Sequence, residues 1–418
     1  MSLNSIVIAG AGQAGYQTAA SLRQGGFEGS ITLVGDEPGL PYQRPPLSKA
    51  YLQGSLPATA LRFRQPDYYD TQRITRLNDR VTAIDRAGRN VSLASGGSLA
   101  YDHLVLALGA RNRVPAVPGI ELAGVLGLRT LADADALAQH LGQVKQVVVI
   151  GAGFIGLEFA AVAAAKGIAV QVIEMADRPM ARAITPTMSA VFTAAHQAAG
   201  VQLHFGQSLA RLIGQDGRVC AVECASGLRL DADLVVYGIG VLPNTELASQ
   251  AGLEISNGVL VDADLLTSDP AISAIGDVAC FTSPYAARPI RLESVQNAAD
   301  QARAVANRLT GKPAAPYTTL PWFWTDQGEL KLQIAGLSEG HDEQVLLGDP
   351  LTRQMSVLCY AQGRLIAVET VNRPADHMAA RKILAREQRP SVAQASEAGF
   401  ELKAHELTTR PPAAQAAT

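Results

Sequence analysis

The same glycine fingerprint occurs twice in this 418-residue chain, 141 residues apart. The first copy, Gly10-Ala11-Gly12-Gln13-Ala14-Gly15, follows the apolar run Ile6-Val7-Ile8-Ala9. The second, Gly151-Ala152-Gly153-Phe154-Ile155-Gly156, follows Val147-Val148-Val149-Ile150. A buried strand, a G-x-G-x-x-G turn and a helix form a unit in which each glycine has its own reason. One makes the tight turn, the next lets the backbone approach a pyrophosphate, and the third lets the helix pack close to the strand. The phosphates then rest on the unpaired N–H groups of the helix N-terminus. An acidic residue ends each following apolar run: Asp36 after Ile31-Thr32-Leu33-Val34-Gly35, and Glu174 after Val170-Gln171-Val172-Ile173. They lie 21 and 18 residues beyond the third glycines, near the spacing of about 20 for a carboxylate that bonds a ribose diol. One such unit is weak evidence. Two complete units predict two dinucleotides on one chain, and two dinucleotides predict redox chemistry.

The length allows two or three domains and a large core. With 48% hydrophobic and 17% charged residues, the composition is that of a globular enzyme and excludes global disorder. A formal net charge of −3 gives no reason to expect nucleic acid or an anionic membrane as partner. The opening Met1-Ser2-Leu3-Asn4-Ser5 lacks the basic region of a signal peptide, and no apolar stretch approaches the roughly 20 residues that span a bilayer. The expected location is therefore cytoplasmic. Cys220, Cys224, Cys280 and Cys359 form no C-x-x-C and no metal spacing with the seven histidines, so no metal site is expected. Cys220 and Cys224 alternate onto one face of a predicted strand, too far apart for a relaxed disulfide. Buried structural thiols are expected.

A Pro-rich loop, Leu40 to Lys49, follows the first unit, and Tyr101–Gly109 reads as a buried strand ending in glycine. The second unit ends with Ala232–Gly240, an apolar strand capped by glycines. The short strand before Gly276-Asp277 must return to the first domain if the second is inserted in it. Ser294–Leu309 has helical spacing, with Ala298, Ala302, Val305, Ala306 and Leu309 on one stripe. From about Tyr317 the pattern changes to short strands, Glu329–Ala335, Met355–Tyr360 and Arg364–Glu369, with a helix over Arg373–Arg386. These predict an antiparallel sheet of its own. The end of the chain, from Thr408, is low in complexity and expected to be disordered.

These residues resemble the FAD-dependent ferredoxin reductases of the putidaredoxin-reductase type, over nearly all of residues 5 to 390. The resemblance rests on both fingerprints with Asp36 and Glu158, on Pro45-Pro46-Leu47-Ser48-Lys49 and on Ile239-Gly240-Val241-Leu242-Pro243-Asn244. It also rests on Ala274-Ile275-Gly276-Asp277, on Glu293–Ala298 and on Pro321-Trp322-Phe323-Trp324-Thr325-Asp326-Gln327. One departure is Leu108, where related flavoproteins usually carry Thr before the glycine. The implied fold is α/β: two Rossmann-like dinucleotide-binding domains, the second inserted in the first, and a C-terminal α+β domain with an antiparallel sheet. Residues 1–112 and 244–316 would bind FAD, 113–243 would bind NADH, 317–405 would form the C-terminal domain, and 406–418 would be a disordered tail. The implied activity is transfer of electrons from NADH through FAD to a [2Fe–2S] ferredoxin that supplies a cytochrome P450 or a ring-hydroxylating dioxygenase. Hydride passes between the cofactors themselves, so no side chain need act as acid or base.

The resemblance assigns Gly10, Gly12, Ala14, Gly15, Asp36, Arg44, Lys49, Val81, Arg129, Asp277 and Val295 to FAD. It assigns Gly151, Gly153, Ile155, Gly156, Glu158, Glu174 and Gly240 to NADH. Lys49 would otherwise be an ordinary surface lysine, and Glu158 a charge near a helix N-terminus; the family reading pairs them beside the flavin, where a cation favours the anionic reduced ring and its carboxylate partner compensates it. Trp322 and Trp324 could both be core anchors, but Trp324 matches an aromatic near the nicotinamide. Glu174 would repel a 2′-phosphate and favour NADH over NADPH. Arg178 and Arg182 are read as neighbours of the phosphate or adenine side, with NADPH the lesser case. Arg64, Arg303, Lys331 and Arg386 are exposed-face candidates for an acidic ferredoxin, though each alone could be a solvated charge.

Three other readings bear on the same residues. A disulfide or peroxide reductase needs a redox cysteine at the flavin, and the chain has none before Cys220. A rubredoxin or quinone reductase fits the same motifs. An NADH-sensing protein like the apoptosis-inducing flavoproteins would carry long insertions or targeting segments that this chain lacks. Oligomeric state is open between monomer and homodimer.

Overall fold

Ile6, Val7, Ile8 and Ala9 are at most 2% exposed, so the first apolar run is covered on both faces, as a central parallel strand must be. In this computed structural model, which describes residues 3–313 and 315–410, that run is β1 (Ser5–Ala9). It leads through the glycine turn into α1 (Gln13–Gln24) and back to β2 (Ser30–Gly35), parallel to β1 with Ile6 opposite Ile31. The strands β3 (Ile74–Asn78) and β4 (His103–Leu106) add in parallel beside β2 and β1. A short β5 (Ala110–Asn112) follows, then α2 (Leu131–Leu141), started by a capping box of Thr130 and Asp133.

The chain then repeats the pattern. β6 (Gln146–Ile150), α3 (Phe154–Ala165) and β7 (Ala169–Glu174) form the second strand–helix–strand unit, with Val147 opposite Val170 in parallel register. α4 (Pro186–Ala198) follows, and β8 (Gln202–Phe205) and β9 (Leu234–Tyr237) bring four strands of a five-stranded sheet into the order β8-β7-β6-β9. Next, β10 (Val241–Pro243) pairs antiparallel with β5, and β11 (Ile272–Ala274) lies parallel to β4, Ile272 opposite Leu104. The first sheet therefore reads β11-β4-β1-β2-β3, and its outermost strand is supplied after the second unit has been built. That return makes the second dinucleotide fold an insertion in the first. Ser294 caps α5 (Val295–Leu309), whose buried stripe includes Ala298, Ala302, Val305 and Ala306.

The C-terminal sheet comprises β12 (Trp322–Gln327), β13 (Leu330–Gly336), β14 (Glu343–Asp349), β15 (Gln354–Ala361) and β16 (Arg364–Val371), all antiparallel in the order β12-β13-β16-β15-β14. The helix α6 (Pro374–Leu384) packs on β13 and β16, and α7 (Leu402–Thr408) packs on α6. The expectation of a disordered tail from residue 406 is corrected for 406–410. Leu402 is fully buried, and the Glu406 carboxylate accepts from Arg386 at 2.9 Å and from Arg410 at 3.0 Å. Residues 411–418 lie outside the described residues.

By density of contact the chain divides into two compact units, Met1–Ala116 with Leu126–Gln143 and Tyr237–Thr319, and Val117–Val125 with Val144–Val236 and Leu320–Thr418. The second parallel sheet and the C-terminal sheet thus share one unit. Its seam buries Glu369 of β16, whose carboxylate accepts from the Thr185 backbone N–H at 3.0 Å and hydroxyl at 2.8 Å, at the start of α4. Burial pushes the Glu369 carboxyl up, against those bonds. Among the described residues no helix is long and apolar enough to cross a membrane.

Candidate functional site

Both glycine turns are built for close approach by something other than protein. Gly10 sits at φ +113°, and a Cβ there would lie 2.2 Å from the Ala107 carbonyl oxygen; a Cβ on Gly15 would lie 1.8 Å from that of Gly10. These two glycines are demanded by the turn and by the helix–strand packing. Gly12 is different: its backbone is ordinary, at φ −74°, and a Cβ would meet no protein atom within 4 Å. Its smallness serves a space in front of the helix. The second turn repeats the design, with Gly151 at φ +99°, a Gly156 Cβ that would lie 2.2 Å from the Gly151 oxygen, and Gly153 in extended backbone at the helix start. Ala14 is buried, whereas Ile155 is 43% exposed at the mouth of the second turn.

Side-chain caps start three of the helices but not these two, nor α6 and α7; what α1 and α3 have besides is the glycine turn in front of the open end. Thr130, Thr185 and Ser294 each bond an N–H in the first turn of α2, α4 and α5. Neither α1 nor α3 has a side-chain cap, so both N-termini keep free donors and positive dipole ends for an anion. Glu174 ends β7 with its carboxylate accepting from Ala152 N–H at 2.7 Å and Ala176 N–H at 2.9 Å, which fixes it against the second turn. Asp36 ends β2 exposed to solvent. Such paired cradles fit two dinucleotides.

Around the first cradle, residues distant in sequence converge within the first unit. Arg44 donates to the Arg129 carbonyl at 2.7 Å and bonds Glu37, which also takes the Tyr42 hydroxyl. The Tyr42 oxygen in turn accepts from Leu131 N–H at 2.9 Å. Arg129 donates to Asp277 at 2.7 Å and to the Ala110 carbonyl at 3.0 Å, and its backbone N–H is held by Asp133. Burial works against the Arg44 charge, but Glu37 and Tyr42 outweigh it and hold the guanidinium above its usual range; burial likewise pushes the Tyr42 phenol up. Lys49 ends the Pro45–Ser48 turn half-buried, its Nζ 3.4 Å from the Pro45 carbonyl. Val81 is buried and Val295 half-buried at the first position of α5. The turn at Leu108 is held although its hydroxyl is missing: the Asn244 side chain donates to the Leu108 carbonyl at 2.8 Å. Gly240, at φ +98°, accepts from Arg113 N–H at 2.9 Å.

In the second unit the alternation of β12 divides its side chains between two tasks. Phe323, Thr325 and Gln327 point to one side. Phe323 packs on Phe154 with ring centres 4.5 Å apart, and Thr325 donates to the buried Glu158 at 2.5 Å. Trp322 and Trp324 lie on the other side, 5.6 Å apart, with His377 at 5.6 Å from Trp322 and the Arg381 guanidinium 4.5 Å above the Trp322 ring. Neither tryptophan is a core anchor; both are half-exposed.

Three expectations change. Arg178 donates to Ile184 and Ala181 carbonyls and to the Ser189 hydroxyl, all within 2.8 Å, so its guanidinium is committed to the loop before α4 rather than to a dinucleotide phosphate. Arg386 is not on an open face: it is half-buried and bonds Glu406, a carboxylate that Arg410 and Lys382 share. Cys220 and Cys224 do not share a continuous strand face, because a bulge falls at Cys220, between the residues paired with Ile213 and Gly214. All four thiols are free, and burial pushes Cys224 and Cys359 up. Of the other surface candidates, Arg64 stacks over Tyr68 and Arg303 pairs with Asp300 at 2.6 Å, while Lys331 is exposed. Glu37, Asp133 and Thr325 were not singled out from sequence. Glu37 directly follows Asp36, and Thr325 alternates with the two tryptophans; those were the available signals.

Residues 4–302 match the family model described as pyridine nucleotide-disulphide oxidoreductase, and residues 322–405 match the reductase C-terminal model. The chain belongs to the pyridine nucleotide-disulphide oxidoreductases, in the putidaredoxin-reductase type. It is 50% identical to rhodocoxin reductase of Rhodococcus erythropolis, over 96% of this chain and 93% of that one. The ferredoxin reductase for the CYP199A2 system from Rhodopseudomonas palustris superimposes with a TM-score of 0.94 at 50% identity, covering 96% of this chain and 100% of that one. The reductase in the covalent putidaredoxin reductase–putidaredoxin complex also gives 0.94, at 40% identity, covering 98% and 99%. As a putidaredoxin-reductase-type enzyme, the chain is an FAD-dependent oxidoreductase that uses NAD(H), and the two cradles fit those two groups.

Proposed function

We propose that this enzyme takes electrons from NADH and delivers them to a [2Fe–2S] ferredoxin serving a cytochrome P450 or a ring-hydroxylating dioxygenase. The observation that carries the reading is the pair of uncapped, glycine-walled helix N-termini in one chain, one beside an ion-paired cluster and one beside a fixed carboxylate. FAD, when bound, accepts electrons in pairs and releases them singly. The protein contributes binding, alignment and electrostatics.

The first cradle, with Gly10, Gly12, Ala14, Gly15 and Asp36, is assigned to FAD together with Arg44, Lys49, Val81, Arg129, Asp277 and Val295. In domain terms FAD takes 1–112 and 244–316, NADH takes 113–243, and 317–405 form the C-terminal domain. The second cradle, Gly151, Gly153, Ile155 and Gly156, holds the NADH pyrophosphate; Glu174 takes the adenosine ribose, and Gly240 contributes backbone. Glu158 and Trp324 are assigned to the nicotinamide end. An acidic ferredoxin is drawn by the exposed Arg64, Arg303 and Lys331; Arg386, half-buried against Glu406, is left out. Attraction of this kind is local in a chain of net charge −3 and is screened over about 8–10 Å at moderate salt.

The test is NADH-driven cytochrome c reduction with and without an added [2Fe–2S] ferredoxin. Strong dependence on ferredoxin is expected, together with loss of turnover on charge reversal at Arg64, Arg303 and Lys331 while ferricyanide reduction by NADH is kept. Turnover with rubredoxin and none with any ferredoxin would replace the reading. Ferredoxin turnover indifferent to salt and to all three reversals would move the docking surface elsewhere.

A further inference from the structure

Within the second unit a line of buried polar side chains runs from Glu158. Glu158 is 3% exposed, Thr325 not at all, and Gln327 and His196 3% each. The Thr325 hydroxyl lies 2.5 Å from Glu158 Oε1, Gln327 Nε2 lies 3.4 Å from Thr325 Oγ1, and Gln327 Oε1 lies 2.8 Å from His196 Nε2. A packing seam of this depth is ordinarily filled with aliphatic side chains, because each buried polar group costs free energy unless it is bonded.

The direction of the chain follows from its chemistry. The Thr325 hydroxyl donates to Glu158 and spends its single proton there. Its oxygen is left to accept, and the Gln327 amide N–H faces it. The Gln327 carbonyl must then receive a proton donor, which makes His196 the Nε2–H tautomer. The rest of the site agrees: His196 Nδ1 has no hydrogen-bond partner, and burial lowers the imidazole below its usual range, keeping it neutral. The bonds along this line therefore all run toward Glu158, the Gln327 amide having the Met180 sulfur as a second acceptor at 3.5 Å, and bonds aligned in one sense polarise one another.

We infer that Thr325, backed by Gln327 and His196, is a positioning residue that fixes the orientation of Glu158 for its work on NADH. The inference rests on the assignment of Glu158 to the nicotinamide end. Phe154 against Phe323 clamps the same helix and strand together, so Thr325 faces Glu158 from a rigid support. Were Thr325 only a space-filler, the isosteric Val would serve as well.

A double-mutant cycle on the FAD-loaded protein tests this, with two readouts: calorimetric affinity of the oxidised protein for NAD+, and the limiting rate of flavin reduction by NADH. Thr325→Val is expected to lower the limiting rate about tenfold, with a smaller change in NAD+ affinity, and Thr325→Ser to stay within about twofold of wild type. In a Glu158→Gln background, Thr325→Val should add less than about twofold to either readout. Histidine 15N spectra should show His196 neutral with its proton on Nε2. Multiplying effects of the two substitutions, a Ser variant as poor as the Val variant, or a His196 that is charged or protonated on Nδ1 would each overturn the inference. If Glu158→Gln leaves both readouts unchanged, the assignment of Glu158 fails and the inference falls with it. Impaired Glu158→Gln with multiplying effects sinks the inference alone. Should Thr325→Val lose its FAD, Gln327→Met cuts the same chain one residue further on and is read in the same cycle.

Discussion

The two glycine cradles share one backbone solution and differ in everything that supports them. In both, the first glycine takes a positive φ, a Cβ on the third would strike the carbonyl oxygen of the first, and the helix start is left without a cap. Around the first, Glu37, Tyr42, Arg44, Arg129 and Asp277 form a continuous ion-paired and hydrogen-bonded cluster drawn from three distant stretches of chain. The second has Glu174 tied to its own turn, Glu158 bonded by Thr325 further along the helix, and an exposed Ile155 at its mouth. A cluster ordered before ligand arrives costs little further entropy on binding and suits a group that stays. A cradle with few fixed partners suits a group that must leave at every turnover. Duplication of a fold thus repeated the phosphate site, while the surrounding side chains separated resident cofactor from exchanged substrate.

The most damaging way to break the comparison is to fill one cradle. Gly12→Val puts its side chain where no protein atom lies, in backbone that Val adopts without strain. The chain should fold with normal far-ultraviolet circular dichroism yet carry less than a tenth of the flavin absorbance of wild type. Its melting temperature should drop by the linkage lost with the ligand. Full FAD content in this variant would show that the first cradle holds something else.

Glu174→Arg addresses the other cradle and should leave FAD content untouched. The substitution removes the carboxylate fixed on Ala152 and supplies a cation for a 2′-phosphate. We expect kcat/KM for NADH to fall about tenfold or more and that for NADPH to rise, a change of at least about 1.4 kcal/mol in relative transition-state binding. A wild type that already uses both equally would remove Glu174 from coenzyme choice.

What could be read from sequence, and what could not, divides along the range of the interactions. The turn glycines, the buried strands β1 and β6, and the Ser294 start of α5 follow from residues within a few positions of one another. The return of β11 to the first sheet was also legible, because a second complete unit had to be accommodated between its neighbours. The edge strand β14 was not, since its residues are mostly exposed and show little alternation. Nor was α7, whose Glu406 is answered by Arg386, 20 residues earlier. Arg178 reads from sequence as a neighbour of the phosphate or adenine side, yet its guanidinium has three acceptors in its own loop, and Thr325 stands in the sequence only as one member of the Pro321–Gln327 motif. In each case the deciding partner lies far along the chain or depends on how a loop turns.

The two sheets also differ at matching strands, with a smaller expected effect. β4 opens with His103, 3% exposed, its Nε2 2.9 Å from the Ser273 hydroxyl; β9, its counterpart, opens with the fully buried Leu234. Burial, helped by Arg308, lowers His103 to about 3. The unfolded chain therefore takes up a proton below about 6.5 that the native protein refuses until about 3, so stability is complete above 6.5 and falls as pH falls through that window. Each pH unit costs about 1.4 kcal/mol, or about 2 kcal/mol between pH 6.5 and 5. Denaturant unfolding of the FAD-loaded protein at pH 7 and pH 5 should show this loss, and His103→Asn should reduce it by about that amount. An unchanged pH dependence would mean that His103 is not held neutral in the native state.

The smallest effect is expected at the thiols, and it sharpens the comparison with disulfide-reducing relatives of the same fold. Such an enzyme needs a redox cysteine at the flavin, whereas here the segment after the first unit reads Pro45-Pro46-Leu47-Ser48-Lys49, and the first cysteine is Cys220. Cys224, Cys280 and Cys359 are at most 2% exposed, and the half-buried Cys220 sits at a strand bulge. Burial raises the Cys224 and Cys359 thiols, the opposite of what a nucleophilic thiolate requires. Cys220→Ser, and Ala at each buried position, should therefore leave NADH-dependent dye reduction within about twofold of wild type, with any loss confined to stability and of order 1 kcal/mol per site. A single variant that folds and holds FAD but no longer passes electrons would place sulfur in the reaction path, and the enzyme would then belong with the disulfide reductases in chemistry as well as in fold.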